Sequence, residues 1–306
     1  MNNTRQSAIK HNLELRARIL QAVRSFFHDR NYLEVETPVR IPAPAPEAHI
    51  DAFATDDWYL QTSPELNMKR LLAAGYPKIF QICKCFRKGE RGRRHLSELT
   101  MLEWYCAGHN YVDMMRQTEE LVRHIVKKFR PNNALVYQGS EIDLEGHWPR
   151  LTVADAFNQY ASKDLQSALL ADGFEEILVE DIEPHLGVSK PLFLYDYPVS
   201  QAALARLKPC DFTLAERFEL YISGVELCNG FSELIDSAEQ LHRFQKEQRL
   251  RRSYGKKEYP MPDKFLDALS DMPSASGNAL GIDRLVMLFA DTDTIDDVVA
   301  FTPEEL

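Results

Sequence analysis

In the stretch Phe86–Tyr105 (FRKGERGRRHLSELTMLEWY) the residues placed to do chemistry are Arg87 and Arg94, with Glu98 and Glu103 after them. Alternating apolar residues precede it at Ile79, Phe80, Ile82, Cys83 and Cys85. The pattern predicts a strand, a mobile basic loop and an antiparallel strand, with the arginines aimed at an anion. Arginines gathered on a loop also suit a solvated surface, and this segment alone leaves both readings open. In Arg217–Leu234 (RFELYISGVELCNGFSEL) apolar residues alternate through Phe218, Leu220, Ile222 and Val225, which predicts another strand. Glu219 and Glu226 stand at an odd spacing that a flat strand splits between its faces, and a bulge at Gly224 would bring them together. Two carboxylates beside a polyphosphate suit Mg²⁺, which takes few protein ligands and keeps phosphate and water oxygens for the rest. In Ser274–Phe289 (SASGNALGIDRLVMLF) small residues allow a backbone to approach a ligand. Asp283-Arg284 there opens an apolar helix, where an arginine suits a terminal phosphate. Gly277 and Gly281 form GxxxG, which by itself reads equally as close packing.

The elements that position these residues are legible on either side. Ile19, Leu20, Val23, Phe26 and Phe27 mark one face of a helix that ends near Arg30, and Val112–Phe129 repeats the pattern. From about residue 131 to 191 the character changes to short helices (Thr152–Tyr160, Leu165–Ala171, Glu175–Leu186), read as an insertion packed on a catalytic sheet. Pro42, Pro44 and Pro46 stiffen a connection. Glu239–Tyr254 reads as a charged, solvated helix. With 306 residues and 44% hydrophobic composition, the chain can bury one large core. A net charge of −10 argues against a general nucleic-acid surface. The five cysteines form no CxxC pair, and no signal peptide or membrane-length apolar run is visible. The chain therefore reads as cytoplasmic, with no membrane partner.

In their order and content the three charged segments resemble motif 2, the metal and amino-acid strand, and motif 3 of class II aminoacyl-tRNA synthetases, most closely the lysyl branch. Val35–Pro38 (VETP) resembles motif 1, and Thr62–Leu72 (TSPELNMKRLL) the amino-acid loop and its helix. Val153–Phe157, Tyr197–Arg206 and Asn229–Leu234 continue the likeness from about residue 10 to the C-terminus. Motif 1 follows a single helix here, with no anticodon-binding domain before it. That truncated layout resembles the elongation factor P–lysine ligases, which adenylate lysine or β-lysine and transfer it to a lysine side chain of that translation factor.

The resemblance implies an α+β fold, a class II synthetase-like antiparallel sheet flanked by helices, in one catalytic domain (1–306) that forms a homodimer through motif 1. It implies ATP and Mg²⁺ as cofactors, with elongation factor P as protein substrate. Arg87 would hold the α-phosphate and the amino-acid carboxylate, and Arg284 the γ-phosphate, making these the catalytic pair. His95 would meet the outer phosphates; Gly89, Glu90, Leu96, Leu227 and Gly281 would complete the ATP site. Glu219 and Glu226 would hold Mg²⁺. Glu233 and Glu103 would bind the substrate's side-chain ammonium, which needs a buried counter-charge, with Tyr105 beside it and Phe231 over the methylene stem. Ser63, Pro64, Glu65 and Asn229 would meet the amino groups and backbone. At the position five before the motif 3 arginine, tRNA-charging enzymes of the family carry glycine and the ligases alanine; this chain has Ala279.

Departures from the family pattern fall on adenine. Gly89 replaces the glutamate of the usual Arg-x-Glu, with Glu90 next; Leu96-Ser97 replaces Asn-Pro; Leu99 replaces a stacking phenylalanine. Loss of that stacking costs about 1 kcal/mol beyond area burial. Two competing readings stay open: a compact enzyme charging tRNA, disfavoured by the acidic balance, and a non-catalytic paralogue, disfavoured because Arg87, Glu219, Glu226 and Arg284 are all present.

Overall fold

Alternation in two neighbouring strands sets the whole architecture. In the computed structural model, which describes residues 4–129 and 134–306, Phe80, Leu102 and Trp104 point to one face of a sheet and Ile79, Gln81, Glu103 and Tyr105 to the other. The first face carries the core, and the second carries the candidate site.

In chain order the elements used below are α1 (Lys10–His28), β1 (Leu33–Glu34), α2 (Glu65–Ala73), β2 (Lys78–Phe86), β3 (Glu98–Ala107), α3 (Tyr111–Phe129), β4 (Arg150–Thr152), β5 (Leu192–Pro198), β6 (Asp211–Ile222), β7 (Val225–Ser232), α4 (Ser237–Ser253), β8 (Ala275–Gly281) and α5 (Ile282–Phe289). Strands run in the order β1-β2-β3-β8-β7-β6-β5-β4, and Leu207–Lys208 pairs on β6 as a ninth. Pairing is antiparallel through the centre; β1 on β2 and β4 on β5 are parallel, so the expected antiparallel sheet is mixed at its edges.

Helices α1, α3 and α5 cover the core face. Ile19, Val23, Phe26 and Phe27 are fully buried within this one chain, Phe27 stacking on Phe80 with ring centroids 4.7 Å apart. Packing against β2 and α3 covers that face, with Leu20 partly buried at its rim. Asp283 at the start of α5 ties the layers, pairing with Arg16 of α1 at 2.6 Å and accepting from the Thr100 amide of β3 at 2.7 Å. A buried carboxylate held by one guanidinium and one amide fixes where the next residue, Arg284, emerges.

Several expectations are corrected. The predicted single strand through Gly224 is a hairpin: β6 and β7 join at Ser223 and Gly224, both with positive φ (51° and 67°), the backbone of a tight two-residue turn. A bulge does exist, but at Leu227, where the register steps from Leu220↔Cys228 to Tyr221↔Glu226. Helix α4 is not a solvated rod, since Gln240, Arg243, Phe244, Gln248 and Arg251 are buried. The expected insertion begins at Pro131, outside the described residues. From Ala134 it holds a hairpin (Ala134–Tyr137, Ser140–Asp143) and the edge strand β4 before its helices Val153–Tyr160, Leu165–Leu170 and Phe174–Ile177. Just before the motif 1 residues lies the two-residue strand β1, Leu33–Glu34, with one further backbone bond from Val35 to Phe80.

Candidate active site

One row of residues crosses the open face of the sheet in register: Gln81, Glu103, Ala279, Asn229 and Glu219, on β2, β3, β8, β7 and β6. The next row is Ile79, Tyr105, Gly277, Phe231 and Arg217. Directly paired residues share a face, so five strands set these side chains side by side under a cleft of about 450 Å³. Gly277 is required in that floor: a Cβ there would lie 2.3 Å from the Tyr105 ring and 2.5 Å from Glu233 Oε1.

Of the residues expected in the site, Ser63, Glu65, Arg87, Glu90, His95, Leu96, Glu103, Tyr105, Glu226, Leu227, Asn229, Phe231, Ala279, Gly281 and Arg284 line the cleft. Pro64, Gly89, Glu219 and Glu233 do not line it. Pro64 caps α2, and Gly89 turns the loop at φ +84°. Leu99, the substitute for the stacking ring, lines the cleft.

Cations gather on one side. Arg284 donates to Glu226 Oε2 and to the Glu226 carbonyl, both at 2.9 Å. Its Nη2 lies 2.6 Å from His95 Nε2. A guanidinium can only donate, so His95 accepts through Nε2; burial and then the charge of Arg284 lower its pKa, favouring the neutral ring. Arg94 donates to the Gly224 carbonyl of the β6–β7 turn at 2.8 Å. The loop expected to be mobile is thus bonded to the hairpin and to α5.

Carboxylates gather on the other side. Glu103 accepts from Ser63 at 2.6 Å and from Tyr105 at 2.7 Å. Burial, then the charge of Glu65, push its pKa up to about 7 against those two bonds. Glu47, which no sequence argument singled out, lines the same space and is pushed up to about 7 by burial and by Glu65. Its position is set by α4: Arg251 donates to the Glu47 and Ile50 carbonyls and to Asp51, and Glu247 accepts from the Ala48 amide. Behind the cleft, fully buried Lys69 bridges Glu65 at 2.5 Å and Glu233 at 2.6 Å. Burial draws the Lys69 pKa down, but the two carboxylates outweigh it and hold it raised. Lys69 is also a residue that sequence reasoning missed; its only local signal is the four-residue step from Glu65 on a helix. Glu65 and Glu233 thus share one protein ammonium, and Glu233 Oε1 keeps no hydrogen-bond partner among the described residues.

Glu219 and Glu226 meet on one face as expected, through the hairpin and the Leu227 bulge. Both Glu219 oxygens are engaged: Arg217 donates to one at 2.6 Å, Tyr197 and Tyr221 to the other at 2.6 and 2.7 Å. Glu226 keeps Oε1 without a partner among the described residues, and no group of three potential ligands forms among them. An oxygen-only set with one free carboxylate oxygen fits Mg²⁺ through Glu226, with Glu219 behind it as the second carboxylate. Arg217 also donates to Asn229 Oδ1 at 3.1 Å, which leaves the Asn229 amide nitrogen without a partner among the described residues.

A family model described as class II tRNA synthetases (D, K and N) matches residues 1–305. Among curated proteins, one from Erwinia tasmaniensis named elongation factor P–(R)-β-lysine ligase is 41% identical, with 95% of this chain and 94% of that protein covered. Proteins of the same name from Salmonella gallinarum and Salmonella arizonae are 40% identical, covering 95% and 97% of this chain and 94% and 96% of their own.

The raised carboxyl groups carry a sign that can be measured. A carboxyl whose folded pKa exceeds its unfolded value favours folding below the unfolded value, and loses that contribution as pH rises through the folded one. For Glu103 and Glu47 the window runs from 4.5 to about 7. Glu103→Gln is expected to raise the thermal midpoint of the unliganded protein at about pH 7.5 and leave it nearly unchanged at about pH 4.5. An equal fall at both pH values would contradict the charge reading.

Proposed function

Because the chain belongs to the class II tRNA synthetases of the D, K and N group, we propose that it is a ligase that activates (R)-β-lysine with ATP and passes the aminoacyl group to a lysine of elongation factor P. Membership and the ligase type rest on the family model and on relatives aligned over nearly the whole chain. The observation that carries the substrate class is the charge at this end of the cleft: Glu65 and Glu233 share one ammonium, Lys69, while Glu103 and Glu47 stand near Glu65 with their pKa values raised. An isolated buried carboxylate is costly, and a diamino acid brings two ammonium groups that relieve it. Across the cleft, Arg87, Arg94 and Arg284 suit a triphosphate.

In this reading the first half-reaction joins a carboxylate oxygen of the substrate to the α-phosphorus and breaks its bond to pyrophosphate. Arg87 lies between the two charged sides, its Nε 3.5 Å from the Thr62 carbonyl. There it orients the carboxylate and α-phosphate and balances the charge that grows as pyrophosphate leaves. Arg284 and neutral His95 hold the outer phosphates. The free amide nitrogen of Asn229 suits a carboxylate oxygen better than an ammonium, so the amino groups fall to Glu103, Glu65 and Glu47. Mg²⁺, held through Glu226 with Glu219 behind it, would neutralise phosphate charge. In the second half-reaction the acceptor amine attacks the acyl carbon, the C–O bond to AMP breaks, an amide forms, and the nitrogen gives up a proton. A two-fold dimer through the Leu33–Pro38 region completes the reading; half-exposed Leu33 and Val39 mark that surface. Sedimentation as a monomer at micromolar concentration would count against it.

β-Lysine-dependent exchange of pyrophosphate into ATP is expected without any acceptor, and Arg87→Ala is expected to lower it at least 100-fold, about 2.7 kcal/mol. Exchange at the parental rate in that variant would remove Arg87 from the reaction.

Ala279 is paired in register between Glu103 and Asn229, and in this reading its methyl group meets the carbons at which the two lysine isomers differ. Ala279→Gly is expected to shift the ratio of kcat/KM toward α-lysine by roughly 10-fold, the weight of one methyl in a pocket. An unchanged ratio would make Ala279 a packing residue only.

A further inference from the structure

The loop Arg87–His95 carries four arginines, and only Arg87 and Arg94 line the cleft. The other two face the end of the chain. Arg91 meets Glu304 as a two-bond fork along one edge of its guanidinium (Nε to Oε1 at 2.9 Å, Nη2 to Oε2 at 3.1 Å), and the same Nη2 meets Asp296 Oδ2 at 2.9 Å. Arg93 pairs with Asp293, and its carbonyl accepts from the Ile295 amide at 2.8 Å. Ile295 itself lines the cleft.

The terminal segment is anchored in turn. Thr302 and Glu305 cap the last turn, Pro303–Glu305, reciprocally. Glu305 accepts from Arg5 at 2.9 Å and from Gln6 at 3.0 Å, and Arg5 also donates to the Asp296 carbonyl at 2.6 Å and the Ala300 carbonyl at 2.9 Å. Residues 293–305 therefore form a strap that grips the outer side of the loop, while Arg94, His95 and Glu90 occupy its inner side. A lone surface ion pair contributes little, but forked geometry within a network is the favourable case.

We propose that this strap preorganises the loop for the nucleotide, with Arg91 a positioning residue that acts on ATP through Arg94 and His95 without touching it. The proposal rests on the reading of Arg87–His95 as the nucleotide loop. A loop already held in its binding conformation does not lose that freedom on binding, so removing the grip falls on ATP affinity and not on the amino acid.

Glu304→Gln is the first variant, since Glu304 is exposed and its loss does not threaten the fold; Arg91→Met is the second. Each is expected to raise the KM for ATP about fivefold in pyrophosphate exchange, with the KM for β-lysine and kcat within twofold of the parent. The double variant is expected to be no worse than Arg91→Met alone, because that variant already lacks the bond from Arg91 to Glu304. An unchanged KM for ATP in both single variants would overturn the strap, as would additive effects or a loss of kcat alone. If the parent protein shows no exchange at all, the nucleotide reading fails instead; if it does and the variants match it, only the strap fails.

Discussion

An unequal count of buried charge is the constraint on which the site depends. Lys69 is fully buried between Glu65 and Glu233, and breaking such a pair by removing one partner costs about 3–5 kcal/mol because the other charge is left alone. The pair thus locks α2 to the end of β7, and that lock positions Ser63 and Glu103 beside it. It still leaves carboxylates over. Buried Glu103 and half-buried Glu47 sit in surroundings that favour their protons, and an ammonium group beside them relieves that cost. Stability and recognition here draw on the same residues.

Positions on the sheet turn that charge into geometry. Because Glu103, Ala279 and Asn229 are register partners, their spacing follows from the strand pairing and not from loop conformation. The loops add the cations: Arg284 comes from the first turn of α5, directly after the Asp283 anchor, and Arg94 from a loop bonded to the β6–β7 turn. Each half of the site is therefore fixed to the same central strands by a different kind of bond.

Much of this was legible in the sequence, and the misses have physical causes. The lining residues from Ser63 to Arg284 were readable because motif spacing repeats across a family. The β6–β7 hairpin was read as one strand because Ser223-Gly224 lacks the Asn-Gly or Asp-Gly signal of most such turns. Helix α4 was read as solvated because its buried face is built largely from Gln240, Arg243, Gln248 and Arg251, which hydrophobic periodicity does not register. Lys69 was passed over because its second partner, Glu233, is distant in sequence. The same distance hid Arg91 and Glu304, whose pairing no local pattern announces.

The central claim, that two ammonium groups and ATP meet in this cleft to load a protein amine, is tested most directly by intact mass. Elongation factor P is incubated with the protein, ATP, Mg²⁺ and (R)-β-lysine, then weighed. The account predicts a single added lysyl mass, about 128 Da by the loss of one water in forming an amide, dependent on ATP and absent with Glu103→Gln. An unmodified acceptor, in a preparation that carries out pyrophosphate exchange with β-lysine, would contradict the transfer half of the account.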